Sequence, residues 1–219
     1  MPLQHADLDG DAIPELIVET GSGGSAGCAA LYVIQSQPPR LLGIIKGCEG
    51  LRIADPSHNG HPAIEAHDSF DLPETGCHTC EPNVPVYLRF ENGKLKDVSR
   101  DFITEYDHAI DGMRRQLRPK HIQALQAART MSEIAFLPGF KTADEAEMNH
   151  EQFDEMAGQA HEYVIRMTFY YLVSGRPEQA WQTLDEMWPL WDRPRIKNEI
   201  LERLKRSRAD GILKYVSRP

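Results

Sequence analysis

The feature that most constrains the fold is a run of closely spaced carboxylates that leads directly into a β-strand. The run reads Asp7-Leu8-Asp9-Gly10-Asp11-Ala12-Ile13-Pro14-Glu15, and the stretch Leu16-Ile17-Val18-Glu19-Thr20, which is typical of a strand, follows it. Four carboxylates and the nearby carbonyl of Ile13 place hard oxygen ligands on one tight loop, which Gly10 allows to turn sharply. Acids this close repel one another unless a cation lies between them. The sequence therefore predicts a Ca²⁺ site on a loop that leads into β-structure.

The loop differs from an EF-hand, because Ala12 and Val18 replace the glycine at position 6 and the glutamate at position 12 of that motif. Instead, aspartates followed by Pro-Glu-Leu-Ile-Val resemble the calcium loops of integrin-α-type propeller repeats, the FG-GAP and VCBS-like family. In that family the loop joins two strands of one blade and the ion is structural. The resemblance implies side-chain ligands at Asp7, Asp9, Asp11 and Glu15 and a backbone carbonyl ligand at Ile13.

A weaker copy of the loop lies downstream, at Asp55-Pro56-Ser57-His58-Asn59-Gly60-His61-Pro62-Ala63-Ile64. Its ligand positions carry the neutral Ser57 and Asn59, and an alanine replaces the glutamate, so we expect this copy to bind no ion. The repeat extends to two apolar, β-rich runs at 30–34 and 86–90, and the second run leads into an Asn-Gly sequence typical of a hairpin turn. Two units cannot close a propeller, which needs at least about four blades. We therefore expect an open antiparallel sheet or sandwich.

After residue 98 the pattern changes from β-rich runs and glycine loops to helical periodicity with few breakers. Capping and proline signals together with this periodicity predict five helices, over 99–117, from Pro119, from about 142 to 174, from Pro177, and over about 194–208. The sequence thus predicts an α+β protein, with an antiparallel β-module of propeller-like units at residues 1–98 and a helical bundle at residues 99–219.

The stretch 170–189 is similar to the turn and second helix of a tetratricopeptide repeat, with Gly175, Ala180, Leu184 and Pro189 in matching places. The sequence contains no second copy, so no repeat array is implied. The alternative interpretation is a plain helical hairpin with a core of Trp181, Leu184, Trp188 and Trp191. In the last helix the spacing predicts that four side chains face inward: Ile196, Ile200, Leu201 and Leu204.

All four cysteines, Cys28, Cys48, Cys77 and Cys80, lie in the β-rich half. An even number in one module beside a calcium loop favours disulfides and an oxidising compartment, with three pairings open. Two alternatives remain. One is free thiols, and the other is a metal or redox role for Cys77-His78-Thr79-Cys80, which has zinc-ligand spacing but no second pair of ligands after it.

The sequence contains two weak enzymatic signals. Ser25 lies in Gly23-Gly24-Ser25-Ala26-Gly27, which fits the Gly-x-Ser-x-Gly pattern of a hydrolase nucleophile elbow. The few preceding residues are committed to the aspartate loop, so a flexible connection is the simpler interpretation. A His/Asp-rich loop carries His58, His61, His67 and His78 around Asp68 and Cys77. A cell-envelope hydrolase using Ser25 or this loop is therefore the alternative hypothesis, and no catalytic residue is assigned.

Charge and hydropathy narrow the functional class. The net charge of −9 argues against nucleic-acid binding, although residues 192–219 carry nine Lys/Arg against four Asp/Glu. No run approaches the length of a membrane span. The first five residues lack signal-peptide features, which suggests a mature or trimmed chain. We expect a non-catalytic, calcium-binding interaction protein of the periplasm, cell envelope or exterior, with a protein partner that the sequence does not identify.

Overall fold

The computed structural model describes residues 4–21, 29–47, 52–55, 62–69, 83–91, 94–129 and 145–210. Its architecture follows the predicted order, with antiparallel strands in the first part of the chain and helices in the second. The described residues divide into two compact units. One comprises the described residues up to 102 together with those from 204 onward, and the other comprises those from 103 to 203.

Eight strands form two four-stranded antiparallel sheets among the described residues. In both sheets the strands lie side by side in chain order. The first sheet contains β1 (Gln4–Ala6), β2 (Glu15–Gly21), β3 (Ala29–Gln35) and β4 (Arg40–Gly47). The second contains β5 (Arg52–Ala54), β6 (Ala63–Ser69), β7 (Asn83–Glu91) and β8 (Lys94–Asp97).

The two sheets repeat the same plan, as the sequence predicted. The aspartate loop connects β1 to β2, and the weaker copy that begins at Asp55 connects β5 to β6. The two β-rich runs at 30–34 and 86–90 fall in β3 and β7, the third strand of each sheet. Glu91 lies opposite Lys94 in the β7–β8 pair, as expected for strands joined by the two residues Asn-Gly.

Apolar side chains of alternate residues build the core of this unit. Ile17, Leu31, Val33 and Ile45 are buried on one face of the first sheet, and Ile64, Val86 and Leu88 are buried in the second. β4 of the first sheet contacts β6 of the second. A short 3-10 helix (Ser99–Phe102) follows β8 and places the Phe102 ring in a parallel stack on Tyr87, with ring centroids 3.9 Å apart.

Five α-helices lie in the described residues from 103 onward; the first four belong to the second unit, and the fifth continues past residue 203 into residues that are grouped with the first unit. They are α1 (Ile103–Gln116), α2 (Pro119–Ala127), α3 (Glu145–Val173), α4 (Pro177–Met187) and α5 (Arg193–Asp210). The helical periodicity of α1 is visible in its core, since Tyr106, Ile110 and Met113 are buried on one stripe of the helix. Gly175 adopts a φ of 82° between α3 and α4, a conformation that glycine adopts without strain. None of the helices in the described ranges is long and apolar enough to cross a membrane.

Two predicted core positions of the last two helices, Trp191 and Leu201, were wrong, and two others, Trp181 and Leu204, are only half-buried. Trp191 is 48 % exposed and Leu201 is 41 % exposed, whereas Leu184 and Trp188 are fully buried. Trp181 is only half-buried, beside the ammonium group of Lys197. The reason is geometric: Ile196 and Ile200 already occupy the inward stripe of α5, and Leu201 lies about 100° further around the helix.

Candidate metal centre

The aspartate loop is closed by the first strand pair. Ala6 and Glu15 lie opposite each other in the antiparallel ladder, so residues 7–14 form the connection between β1 and β2. The Leu8 side chain, in the middle of the acidic run, is buried. This apolar anchor and the strand pair hold the polar residues of the loop together at the end of the sheet.

Carboxylate oxygens organise the backbone of this loop. Asp7 accepts hydrogen bonds from the amides of Gly10 and Ala12, at 2.7 and 3.0 Å through its two oxygens. Asp9 accepts from the amide of Asp11 at 3.3 Å. Asp11 in turn accepts from the amide of Ile13 at 2.7 Å. Such local side-chain-to-backbone bonds are typical of Asp in tight turns, and here they draw the chain around the acids.

Two residues of the loop have positive φ angles. Gly10 has a φ of 82° and Ala12 a φ of 65°. The first is unstrained for glycine, whereas the left-handed conformation costs an alanine about 1–2 kcal/mol. Ala12 therefore holds a strained conformation at the place where the compared loops of EF-hands carry glycine.

Glu15 is the best-placed candidate ligand. Its side chain is fully buried. Its Oε2 accepts a hydrogen bond from the amide of Leu8 at 2.6 Å, while its Oε1 is buried and has no hydrogen-bond partner among the described residues. Burial raises the pKa of Glu15 above its ordinary value, the negative charges of the three aspartates raise it further, and the bond from Leu8 opposes this. A buried carboxylate oxygen that lacks a donor costs free energy unless a cation or a proton satisfies it.

The structure brings three of the predicted ligands together. Carboxylate oxygens of Asp7, Asp9 and Glu15 all lie within 4.8 Å of one another. Asp11 is not part of this group; its oxygens accept from the Ile13 amide and, at 3.4 Å, from Gln35. Three carboxylates at this spacing suit a hard divalent cation that prefers oxygen, such as Ca²⁺. The orphan oxygen of Glu15 fits such a group.

The β3–β4 turn contacts the loop, which the sequence analysis missed. The Gln35 side-chain amide donates to Asp11, and the Ser36 hydroxyl donates to the carbonyl of Pro14 at 3.1 Å. These residues lie more than twenty positions away in the chain. The pairing of Leu16 with Ile34 brings them to the loop, and local sequence carries no signal for that contact.

Most of the other predicted site residues lie outside the described part of the chain. These are Ser25, His58, His61, His78 and the four cysteines, Cys28, Cys48, Cys77 and Cys80. Ser57 and Asn59 of the weaker loop lie outside it as well. Of the His/Asp-rich loop, His67 and Asp68 are described and are successive residues of β6. Successive strand residues point to opposite faces of a sheet, so the structure does not bring these two together as a site.

A buried acidic residue in the second sheet was also missed. Glu65 on β6 receives two bonds from the Arg52 guanidinium, at 2.7 and 2.6 Å, and His67 Nε2 lies 3.7 Å from its other oxygen. The Glu65 side chain is 6 % exposed and that of Arg52 70 % exposed. The pairing is a cross-strand one between β5 and β6, so it follows from strand register rather than from any local motif.

Comparison with known proteins adds no relative, since no family model, no curated protein and no solved structure matches this chain.

Proposed function

We propose that the loop between β1 and β2 binds Ca²⁺ and that the protein is a non-catalytic, extracytoplasmic interaction protein in which the ion is structural. Asp7, Asp9 and Glu15 would hold the ion, with Asp11 and the carbonyl of Ile13 available on the same loop. The ion would neutralise clustered negative charge and fix the first hairpin of the sheet.

The observation that carries this proposal is the unpartnered Oε1 of Glu15. It is buried, and it belongs to a group of carboxylates that converge within 4.8 Å. Exposed acids can cluster without an ion because water solvates them. Glu15 is different, because its fully buried carboxylate has lost its hydration, and the bond from the Leu8 amide compensates only one of its two oxygens.

The repeated plan of the two sheets supports the finer proposal that they are propeller-like units. Each is a four-stranded antiparallel sheet with its strands in chain order, which is the composition of a propeller blade. In the first sheet, the residues that alternate with the buried ones are also apolar and half-buried: Leu16, Val18, Tyr32, Ile34 and Ile44. Antiparallel sheets with a solvated face alternate apolar and polar residues, whereas a blade is covered on both faces.

The location is proposed from the sequence. A weak structural Ca²⁺ site is occupied outside the cytosol, because the Ca²⁺ concentration is high there. The even number of cysteines in the same half of the chain agrees with an oxidising compartment. Counting reactive thiols in the unfolded, unreduced protein tests this part separately, and four free thiols would contradict it.

Thermal unfolding in Ca²⁺, in EGTA, and in EGTA with Mg²⁺ tests the ion. A site filled at 100 times its dissociation constant adds about 2.7 kcal/mol to the free energy of unfolding. We expect that increment in Ca²⁺ only, and we expect Asp9→Ala to abolish it. Glu19→Gln is the control, since it removes one carboxylate from an exposed position of β2, outside the loop.

Glu15→Gln gives the sharpest test, because we expect its effect on the free energy of unfolding to have opposite signs with and without Ca²⁺. Without Ca²⁺ the variant should be more stable than the wild type at neutral pH, because the raised pKa shows that the folded protein favours the neutral side chain. With Ca²⁺ it should be less stable, because the increment is lost. Equal melting of the wild type in all three buffers would refute the calcium proposal.

A further inference from the structure

A cluster of cations without acidic partners lies where α1 meets α2. Arg114, Arg115, Arg118 and Lys120 are all exposed, and within the described ranges none of them forms an ion pair. Other cations of the same unit are paired: Arg166 with Glu162, Arg176 with Asp107, and Arg195 with Asp192. Four free cations within seven residues are unexpected in a chain of net charge −9.

Two of these cations, Arg118 and Lys120, lower the stability of the N-terminal end of α2. Arg114 and Arg115 lie in the last turn of α1, where cations interact favourably with the helix dipole. Arg118 is the N-cap of α2 and Lys120 lies in its first turn, where the dipole disfavours cations. That turn contains no acid, and the Arg118 side chain makes no capping bond, although the Arg118 amide donates to Nδ1 of His121 at 3.2 Å. Violations of local rules concentrate at functional sites.

Two exposed apolar side chains lie near the other end of α2. Leu190 is 75 % exposed and Trp191 is 48 % exposed. The indole N–H of Trp191 donates to the carbonyl of Ala128 at 2.8 Å. This bond holds the aromatic ring at the C-terminal end of α2, with about half of its surface in solvent. Eight residues separate Lys120 from Ala128, which corresponds to about 12 Å along a helix.

We propose that the surface formed by Arg114, Arg115, Arg118, Lys120, Leu190 and Trp191, here called the α2 surface, binds an acidic segment of a partner protein. About 12 Å is spanned by about four extended residues. The segment therefore carries an apolar side chain for the Leu190/Trp191 end and carboxylates about four residues away for the cationic end. Charge complementarity selects the acidic partner, and the aromatic end favours a peptide over a polyanion, because Trp and Arg are enriched at protein–protein contacts.

The proposal rests on the interaction part of the proposed function and does not involve the ion. Peptide binding should therefore be equal in Ca²⁺ and in EGTA. The calcium proposal and the peptide proposal can therefore be refuted separately. The thermal melts report on the aspartate loop, and the binding assay reports on the helical unit.

Fluorescence anisotropy with a fluorescein-labelled peptide tests the proposal on the full chain. The probe is acetyl-Phe-Gly-Ser-Gly-Glu-Glu-Asp-Glu. Two control probes replace its acids by Gln and Asn, or its Phe by Ser. We expect binding of the acidic probe that weakens as salt rises, about tenfold weaker binding of the neutral probe, and a smaller loss for the Ser probe. Equal binding of the acidic and neutral probes would overturn the proposal.

Charge reversal separates binding from stability. Arg118→Glu with Lys120→Glu should weaken binding by about tenfold or more, yet the melting temperature should stay the same or rise, because acids suit a helix N-terminus. Arg40→Glu with Arg100→Glu makes the same charge change at exposed positions of the first unit and is the matched control. Leu190→Ser should weaken binding without lowering stability. Wild-type affinity in the Arg118/Lys120 variant would refute the docking surface.

The same assay distinguishes other polyanions. A single-stranded oligonucleotide and phosphatidylserine vesicles are added as competitors of the acidic probe. We expect neither to displace it at equal charge concentration. Displacement by either one, with tighter binding than the probe, would replace the peptide proposal by a nucleic-acid or membrane surface.

Discussion

His161 lies on α3 with 5 % of its surface exposed, and its Nε2 makes no hydrogen bond among the described residues. Its ring packs against Trp188 at a centroid distance of 5.1 Å. Burial lowers the pKa of His161 to about 4, the positive charge of Arg195 lowers it further, and the negative charge of Asp192 opposes this. We predict that acidification destabilises the protein through this single imidazole.

The magnitude follows from the difference between the folded and unfolded pKa values. The ordinary pKa is 6.5 and the folded pKa is about 4, and each unit is worth about 1.4 kcal/mol. Between these values the unfolded chain binds the proton and the folded chain does not, so stability falls as the pH falls. The stabilisation is complete above pH 6.5 and is reduced by about 2 kcal/mol at pH 5 and about 3 kcal/mol at pH 4.

Urea unfolding followed by far-UV circular dichroism, repeated from neutral pH down to about pH 4, measures this loss. His161→Phe keeps an aromatic ring beside Trp188 but cannot take a proton. The packing cost of this substitution is independent of pH. On acidification the free energy of unfolding of the wild type should therefore fall by about 3 kcal/mol relative to that of the variant. His108→Phe, at an exposed position of α1, is the control for removing a histidine.

The comparison isolates His161 because other carboxyl groups, including Glu15, titrate equally in both proteins. If the wild-type and His161→Phe stabilities run parallel to within about 0.5 kcal/mol over this range, the imidazole is not held neutral by burial. The reasoning from desolvation would then be refuted, even if both proteins unfold in acid.

The remaining predictions concern backbone strain in the aspartate loop and the Arg52–Glu65 pair, both in the first unit. Ala12→Gly should stabilise the protein by about 0.5–1 kcal/mol, since it removes a strained positive φ at the cost of greater freedom in the unfolded chain. Gly10→Ala should destabilise it by about 1–2 kcal/mol, although the new methyl group meets no atom within 4 Å; thermal melts in EGTA measure both, and equal stabilities would show that the φ angles differ in solution. Arg52→Met should cost about 1–3 kcal/mol because it leaves the buried Glu65 carboxylate without its guanidinium. The double variant Arg52→Met/Glu65→Leu should recover most of that loss, and a urea-denaturation cycle with no coupling between the two positions would contradict it.

Much of the fold could be predicted from local sequence signals. Short apolar, β-rich runs predicted β2, β3 and β7, and helical stripes with proline and glycine boundaries predicted α1, α4 and α5. Short strands without an apolar pattern, such as β1 and β5, were missed, because three residues carry too little periodicity to identify a strand. β4 was missed as well, although it is apolar, because two prolines precede it.

The candidate metal site also has some features that the sequence predicted and others that it did not. Its position and its oxygen chemistry were predicted from the spacing of acids, and Asp7, Asp9 and Glu15 are three of the ligands that the resemblance to the propeller loops implied. The sequence did not indicate that Asp11 would bond to the Ile13 amide and Gln35 instead of joining the group. It also assigned Trp191 to the core, whereas the N–H of that indole reaches the Ala128 carbonyl and leaves the ring half in solvent.

The sequence by itself determined the change from β-structure to helices near residue 98, the boundaries of most helices and the presence of a clustered acidic loop, because periodicity, turn residues and charge spacing are local properties of the chain. Only the tertiary structure decided, among the residues it describes, which acid is buried with an oxygen that lacks a partner, which cations around α2 lack an ion pair, and which histidine is buried deeply enough to lower its pKa. These properties depend on contacts between residues far apart in the chain, and strand register and helix packing alone bring such residues together.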